Sequence, residues 1–563
     1  MKISRAIKLL SLFAGLVLVV ALLKCAPKVR AANDTASETS AAIRPQALRA
    51  DMQFLADDLL EGRGTGTRGH EIAAKFVATQ FEAMGLEPGG DNGTYFQSVP
   101  LRSIRPDEER TTLSIVRGGK EEPLVFRRDF VALGDPGRTD NSVNAPLVYV
   151  GFGVTAPEQG YDDYAGLETN GKIVAYVYGA PPRFDSTIRA HYSAAVTKAA
   201  NAAAHGAAGI ILLDSPELER VYSFKDRVQD LAFPTMRWLN AQGQPNDYFP
   251  GLSGPAIVNM QATARLFEGS GRSPEEIYAA AKEGKPASLV LPVVVKMRIV
   301  SKHESMQSPN VVALLAGSDP KLRDEYLVYS AHLDHLGIGE PVNGHRIYNG
   351  ALDNASGSAC LLEIARAFSQ MTPRPRRSIL FVSVTGEEKG LLGSDYFAHH
   401  PTVARGSLIA DINIDGAPLL WPMEDLVAYG AEHSTLAAAV RETAARLNID
   451  VSPDPRPQQV LFVRSDQYSF VRQGVPSIFL SWGTKSTNPN IKPEEIHNAF
   501  LANRYHKPQD DMNQPFDFES GARFAKCAFL LGYLVAQKSE KPVWNQGDFF
   551  GEKYAQNGDK RKN

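Results

Sequence analysis

The sequence predicts an α/β protein: a mixed, mainly parallel sheet sandwiched by helices, with a second, β-rich domain inserted into it. Three observations predict this. From about Val293 onward, short apolar runs alternate with helical stretches. The runs are Asn310–Leu315, Tyr326–Ser330, Ser378–Val384, Ser407–Asn413 and Ser477–Ser481, and they lack polar alternation. That is the signature of strands covered on both faces, as in a largely parallel sheet. Second, residues 143–286 change texture, with β-rich runs at Leu147–Val154, Lys172–Tyr178 and Gly209–Leu213 around an Ala-rich helix, Ala194–His205. Third, 563 residues exceed what one hydrophobic core usually organises, so more than one domain is expected.

The segments follow in order. Lys2, Arg5 and Lys8 form a basic start to an apolar run, Leu9–Leu23. The run is shorter than the roughly 20 residues a comfortable membrane span needs. Val29-Arg30-Ala31 offers small residues at the positions a signal peptidase reads, and Lys24 disfavours lipidation of Cys25. Residues 1–31 therefore read as a signal peptide, with an uncleaved N-terminal membrane anchor as the alternative. Either directs the rest of the chain out of the cytoplasm, to the periplasm or the medium. Residues 32–44 read as a disordered linker. Residues 45–142 form the N-terminal part of the main domain, helical from about Arg44 to Leu101 and broken by the glycine-rich loop Glu61–Gly69. The insert occupies 143–286, the rest of the main domain 287–542, and a polar tail 543–563. Helices are expected at Ala355–Gln370, His433–Leu447, Gln467–Gln473 and Phe518–Gln537.

Composition narrows the function. The formal net charge is -3, with charged residues at 22% and no basic cluster of the kind phosphate backbones require, so no nucleic-acid partner is expected. Three cysteines exclude a disulfide framework. Cys360 and Cys527 lie in apolar helical patterns and read as small buried hydrophobes, with a single bridge as the open alternative.

The chemistry sits at the strand ends. His332-Leu-Asp334 follows one predicted strand, Glu387-Glu388 a second, and Asp415 a third. Asp353 opens the helix of Gly350–Gly357, and His506 lies beyond the last strand. Ligands in open α/β sheets bind beyond the carboxyl ends of strands, so these groups converge on one crevice. Imidazoles and carboxylates suit Zn²⁺ without thiolate. Two His and three carboxylates exceed one tetrahedral catalytic site and suit two ions sharing a carboxylate. In the pair Glu387-Glu388, one carboxylate can bind metal while its neighbour takes a proton from water. Asp334 can accept the second N–H of His332. Taken singly, each piece is commonplace: a solvated loop, a charged surface, a helix N-cap. Their occurrence in order, at strand ends and helix starts, is what points to a metal centre. Two decoys are set aside. Gly151-Phe-Gly153 is followed by Pro157 and Gly160 rather than a helix, against dinucleotide binding. No G-x-S-x-G stands between a strand and a helix, against a serine hydrolase.

The runs His332-Leu-Asp, Gly350-Ala-Leu-Asp-Asn-Ala-Ser-Gly, Gly386-Glu-Glu-Lys-Gly-Leu-Leu-Gly-Ser, Asn413-Ile-Asp, Arg464-Ser-Asp-Gln-Tyr-Ser-Phe and Tyr505-His-Lys-Pro-Gln-Asp together resemble metallopeptidase family twenty-eight, the co-catalytic zinc aminopeptidases. The insert resembles a protease-associated (PA) domain through Val150-Gly-Phe-Gly-Val, Tyr161-Asp-Asp-Tyr, Gly171-Lys-Ile-Val and His205-Gly-Ala-Ala-Gly. The resemblance implies a zinc-peptidase-like fold and two Zn²⁺ per chain. It implies that Asp353 bridges both ions, with His332 and Asp415 completing one and Glu388 and His506 the other. Glu387 would be the general base and Asp334 the orienting acid. It also implies a cis peptide between Asp353 and Asn354. The expected function is removal of N-terminal residues from peptides with a free N-terminus. The competing readings are a glutaminyl cyclase-like acyltransferase working with one zinc, and a non-enzymatic binding ectodomain.

Overall fold

The computed structural model describes Ala36, residues 39–285 and residues 287–555. The expected export segment with Cys25 lies outside the described residues, as does the end of the expected polar tail. Of the expected linker, residues 39–44 lead through a turn into helix Pro45–Leu55, with Ile43 buried. Among the described residues, no helix is long and apolar enough to cross a membrane.

Fifteen strands of the two large sheets carry the argument. They are β1 (Phe96–Pro106), β2 (Thr112–Arg117), β3 (Lys120–Leu124), β4 (Phe130–Ala132), β5 (Asp140–Tyr149), β6 (Ile173–Val177), β7 (Gly209–Leu213) and β8 (Thr235–Trp238). There follow β9 (Ser253–Val258), β10 (Leu289–Leu315), β11 (Tyr326–His332), β12 (Ser378–Val384), β13 (Leu408–Ile414), β14 (Asp425–Tyr429) and β15 (Ser477–Trp482). The main sheet runs β8-β1-β10-β12-β11-β13-β15-β14. Its centre, β12-β11-β13-β15, is parallel, and the pairs toward both edges are antiparallel. β12 is buried along its whole length, and β11 and β13 at all but their first residue. This is the covering on both faces that their unbroken apolar runs require. One layer contains helices Pro45–Leu55, Arg68–Ala83, Ser356–Ser369 and Phe518–Gln537; Leu48, Phe81, Phe368 and Phe529 pack there in one core with Tyr329 of β11 and Phe381 of β12. On a second side, Phe397 and Phe470 pack with Val328, Leu380 and Val382.

The second sheet runs β3-β2-β10-β5-β6-β7-β9-β4. β10 belongs to both sheets: Val294–Arg298 pairs with β2 and β5, and Ser301–Val311 with β1. The second unit thus recruits β2, β3 and β4 from upstream of residue 143. The region from Arg44 to Leu101, read from the sequence as helical, holds helices Pro45–Leu55 and Arg68–Ala83 but ends in β1 from Phe96. Its burial alternates residue by residue, with Val99 and Leu101 inward, a period of two that the preceding helices mask.

The insert is pinned to the main domain at several points. Arg472 binds Asp247 through two hydrogen bonds, at 2.7 and 3.1 Å, and Trp238 Nε1 donates to Asp395 at 2.7 Å. The C-terminal segment, which the sequence reads as a polar tail, packs between the two units. Phe550 is fully buried, and Trp544 Nε1 donates to Gly474 O at 2.8 Å. His433 is buried there between Asp548 (2.6 Å) and Thr187 (2.9 Å). Cys360 and Cys527 are free buried thiols.

Candidate metal centre

The donors arrive from the carboxyl ends of the parallel strands, as the topology demands. His332 is the last residue of β11, Asp415 directly follows β13, and Glu387 and Glu388 lie in a short turn after β12. Asp353 lies in an irregular turn before helix Ser356–Ser369, and its peptide bond to Asn354 is cis. Gly350 must be glycine here: its φ is +60°, and a Cβ would stand 2.1 Å from Asp353 O and 2.5 Å from the His335 ring. Asp510 fixes the turn by accepting from Leu352 N and Asp353 N, each at 3.0 Å.

Two groups of donors form around Asp353. In the first, His332 Nε2 is 3.3 Å from Asp353 Oδ1 and 3.2 Å from Asp415 Oδ1. In the second, His506 Nε2 is 3.4 Å from Asp353 Oδ2 and 3.2 Å from Glu388 Oε2. All five residues that the sequence proposes as ligands are therefore together. One donor was not foreseen. His335 is fully buried, with Nδ1 at 2.7 Å from Glu388 Oε1 and 4.0 Å from Asp353 Oδ2. The approach to Glu388 is close but out of line for a hydrogen bond, so both His335 ring nitrogens and Glu388 Oε1 are left without partners. Donor atoms of His332, Asp353 and Asp415, and likewise of His335, Asp353 and Glu388, lie within 4.8 Å of one another. Buried polar atoms without partners are costly. Their convergence on carboxylates and imidazoles fits a pair of divalent ions.

The electrostatics agree. Burial opposes charge on His332, but Glu387, Asp415 and the bond to Asp353 outweigh it and hold its pKa well above the usual imidazole value. His506 behaves the same way: burial is outweighed by Glu388 and Asp353. Both surroundings favour positive charge. Glu387 is the opposite case. Burial, with Asp415, Glu388 and Asp466 adding to it and His332 opposing, pushes its carboxyl well above the usual range. A carboxyl with raised proton affinity beside a metal centre is suited to carry a proton.

Asp334 departs from its expected role. Its carboxylate stands 4.0 Å from His332 Nδ1, while its backbone carbonyl is at 3.1 Å. The carboxylate instead accepts from Thr65 Oγ1 (2.8 Å) and from Glu387 N (3.1 Å), fixing the backbone of the proposed base. The loop that supplies Thr65 also supplies Arg63. Its fully buried guanidinium donates to Leu333 O (2.8 Å), Asn349 O (2.6 Å) and Gly350 O (3.0 Å), tying together two donor-bearing turns. Tyr505 stacks on His506 with ring centres 3.9 Å apart. His497 lies apart on helix Pro493–Asn503 near Arg456, and its enclosure lowers its pKa to about 4.

Residues 310–531, which hold every donor described, match the family model of Peptidase family M28. The chain carries an M28 domain. Residues 143–251 match the PA domain, so the insert is a PA domain within the flow of that fold. Among curated relatives, the aminopeptidase NAALADL1 of Rattus norvegicus is 26% identical over 387 residues, covering 58% of this chain and 44% of that protein. A probable zinc metalloprotease of Pyrenophora teres f. teres is 38% identical over 242 residues, covering 41% of this chain and 50% of that protein. The chain thus spans about half the length of the curated relatives it matches. In fold, it resembles the aminopeptidase from Aneurinibacillus sp. strain AM-1, with a TM-score of 0.51 at 19% identity over 90% of this chain and 97% of that one.

Proposed function

We propose that this chain is an exported, zinc-dependent aminopeptidase that hydrolyses N-terminal residues of peptides with two Zn²⁺ per chain. One observation carries the reading: two donor groups share Asp353, with the carboxyl of Glu387 beside them. His332, Asp353 and Asp415 would hold one ion. Asp353, Glu388 and His506 would hold the other, with His335 in contact with Glu388. Zinc bound there supplies a Lewis acid and lowers the pKa of water toward about 7. Glu387 takes a proton from the attacking water and returns it to the leaving amine. Asp334 and Thr65 hold the Glu387 turn in place. Tyr505, whose phenol burial keeps protonated, supplies a hydrogen-bond donor to the developing oxyanion. Glu387 and Asp415 attract the substrate's free α-amine, which restricts cleavage to the N-terminus. The pinned PA domain roofs the cleft and limits substrate size.

Two complete donor groups favour this over a single-zinc acyltransferase. Export rests on the basic and apolar pattern of residues 1–31, and membrane attachment through that segment remains its alternative form. The test is release of a chromogenic amine from aminoacyl anilides by the purified protein, with metal content measured alongside. Activity that vanishes with chelator and returns with Zn²⁺, at two equivalents bound, is the expected result. Release of an internal fragment from an N-terminally blocked peptide, or no hydrolysis with both equivalents bound, refutes it.

A further inference from the structure

The glycine-rich loop after helix Pro45–Leu55 reaches the metal centre at Arg63. Its backbone passes through three successive left-handed residues: Glu61 at φ +52°, Gly62 at +68° and Arg63 at +48°. Such values are uncommon outside glycine and mark a path imposed by the surroundings. On one side lies the hairpin Gly337–Tyr348. A Cβ on Gly62 would stand 2.4 Å from Tyr348 O and 2.7 Å from Gly337 O. On the other side, His335 N donates to Arg63 O at 3.2 Å, and Gly64 pairs with His335 in a single parallel bridge. The loop is wedged between the chain that carries His332 and His335 and the hairpin that leads on to Asp353.

The Arg63 side chain is fully buried, and its four hydrogen bonds all end on backbone carbonyls. Nε donates to Leu333 O, Nη1 to Leu55 O and Asn349 O, and Nη2 to Gly350 O. These acceptors belong to three separate segments: the end of helix Pro45–Leu55, the residue after His332, and the start of the turn that carries Asp353. A guanidinium suits the task because its N–H groups form a rigid planar fork, which an ammonium on a flexible stem cannot reproduce. Burying a cation costs free energy, and the usual partner of a buried arginine is a carboxylate. An arginine whose bonds go to carbonyls places chain rather than pairing charge.

We propose that Arg63 is a positioning residue that sets where the shared carboxylate of Asp353 stands relative to His332, and so how far apart the two ions are held. The proposal rests on the two-metal reading. The sheet places His332 and Asp415 through β11 and β13. It does not place Asp353, which lies in irregular chain outside every strand. Two side chains fix that turn. Asp510 takes the amides of Leu352 and Asp353 and ties them to the segment of His506. Arg63 takes the carbonyls of Asn349 and Gly350 and ties them to Leu333, next to His332. Ions that share a carboxylate stand about 3.5–4 Å apart. A displaced turn therefore changes how the pair interacts without removing any ligand.

The test uses Arg63→Lys, which keeps the charge and loses the fork, and Arg63→Gln, which keeps one amide donor. Phe368→Leu, at the far end of helix Ser356–Ser369 in the main core, is the control for plain destabilisation. Each full-length protein is loaded with Co²⁺. Metal content, visible absorption, magnetic coupling between the ions, Tm, and kcat and KM on an aminoacyl anilide are measured. In both Arg63 variants two equivalents bind, absorption and coupling shift from the parent's, and kcat falls about 10–100-fold while KM stays within about twofold. Phe368→Leu lowers Tm and leaves spectra, kcat and KM at parent values. Arg63 variants with parent spectra and kcat overturn the proposal, whatever their Tm. A change confined to KM overturns it by assigning Arg63 to substrate binding. Loss of a whole metal equivalent overturns it by making Arg63 a support of one donor group alone, and failure of both variants to fold assigns Arg63 to the fold alone. If the unaltered protein binds a single ion, the two-metal reading itself has failed. That result differs from a two-metal parent whose spectra ignore Arg63.

Discussion

The two donor groups share one carboxylate but are built in different ways. The first is carried by the sheet. His332 ends β11 and Asp415 follows β13, two adjacent strands of the parallel centre. Its geometry comes from backbone pairing that little else can alter. The second is carried by irregular chain. Glu388 sits in a single turn flanked by left-handed glycines, and His506 itself adopts a φ of +55°. Its geometry comes from packing: Tyr505 stacked on His506, His335 against Glu388, and Phe233 of the insert against Lys389, the residue after Glu388. The difference suggests that the first group is rigid by construction and the second by its neighbours. Substitutions near the second group should then reach the metal from farther away.

Asp353 is where the comparison is most exposed to failure. If both groups depend on its carboxylate, Asp353→Ala loses most metal from both, and activity falls below about 10⁻³ of the parent, because neither cation retains its shared counter-charge. Metal analysis after dialysis measures it. A variant that keeps one full equivalent would show that one group stands without the bridge.

Glu387 touches both groups electrostatically without completing either. Glu387→Gln preserves the side-chain volume and removes the proton carrier. Bound metal and thermal stability are expected to stay at the parent level while kcat falls about 10²–10⁴-fold. Loss of metal in this variant would make Glu387 a ligand, and near-parent turnover would remove it as the base.

The same contrast explains what was legible in the sequence. The central strands are unbroken apolar runs, so the residues just past them were identifiable as crevice residues, and His332, Asp415, Glu387 and Glu388 followed. His506 was found by its place beyond the last predicted strand together with the company of Tyr505 and Pro508. Arg63 and Thr65 were hidden because a glycine-rich loop gives no sign of what it will pack against, although an arginine amid four glycines between residues 61 and 69 was a signal available to be weighed. β1 was hidden because its alternation adjoins two real helices. The C-terminal segment reads as polar by composition, yet Trp544, Phe549 and Phe550 find an apolar seat that only the docked insert and main domain create together. His335 stood one residue beyond Asp334 and was passed over because the resemblance assigns it no role.

His335 is also where the smallest effect is expected and where the comparison can be sharpened. Its ring is fully buried, and Nδ1 approaches Glu388 Oε1 while His506 faces Oε2 of the same carboxylate. Glu388 is thus held from both sides, and burial is outweighed by the two imidazoles in keeping its pKa well below the usual carboxylate value. Removing His506 removes a donor; removing His335 removes an orienting group or an auxiliary donor. His506→Ala should lose one metal equivalent outright while the His332 and Asp415 group stays filled. His335→Ala should keep two equivalents at saturating Zn²⁺ but bind the weaker one about 10–100-fold less tightly, the usual worth of a residue supporting a metal ligand. His497→Ala should bind metal as the parent does. Titration with a competing chelator reads all three. A His335→Ala protein with parent affinity would mean that the second group needs no support from its neighbours. The two halves of the centre would then be equally rigid despite their different construction.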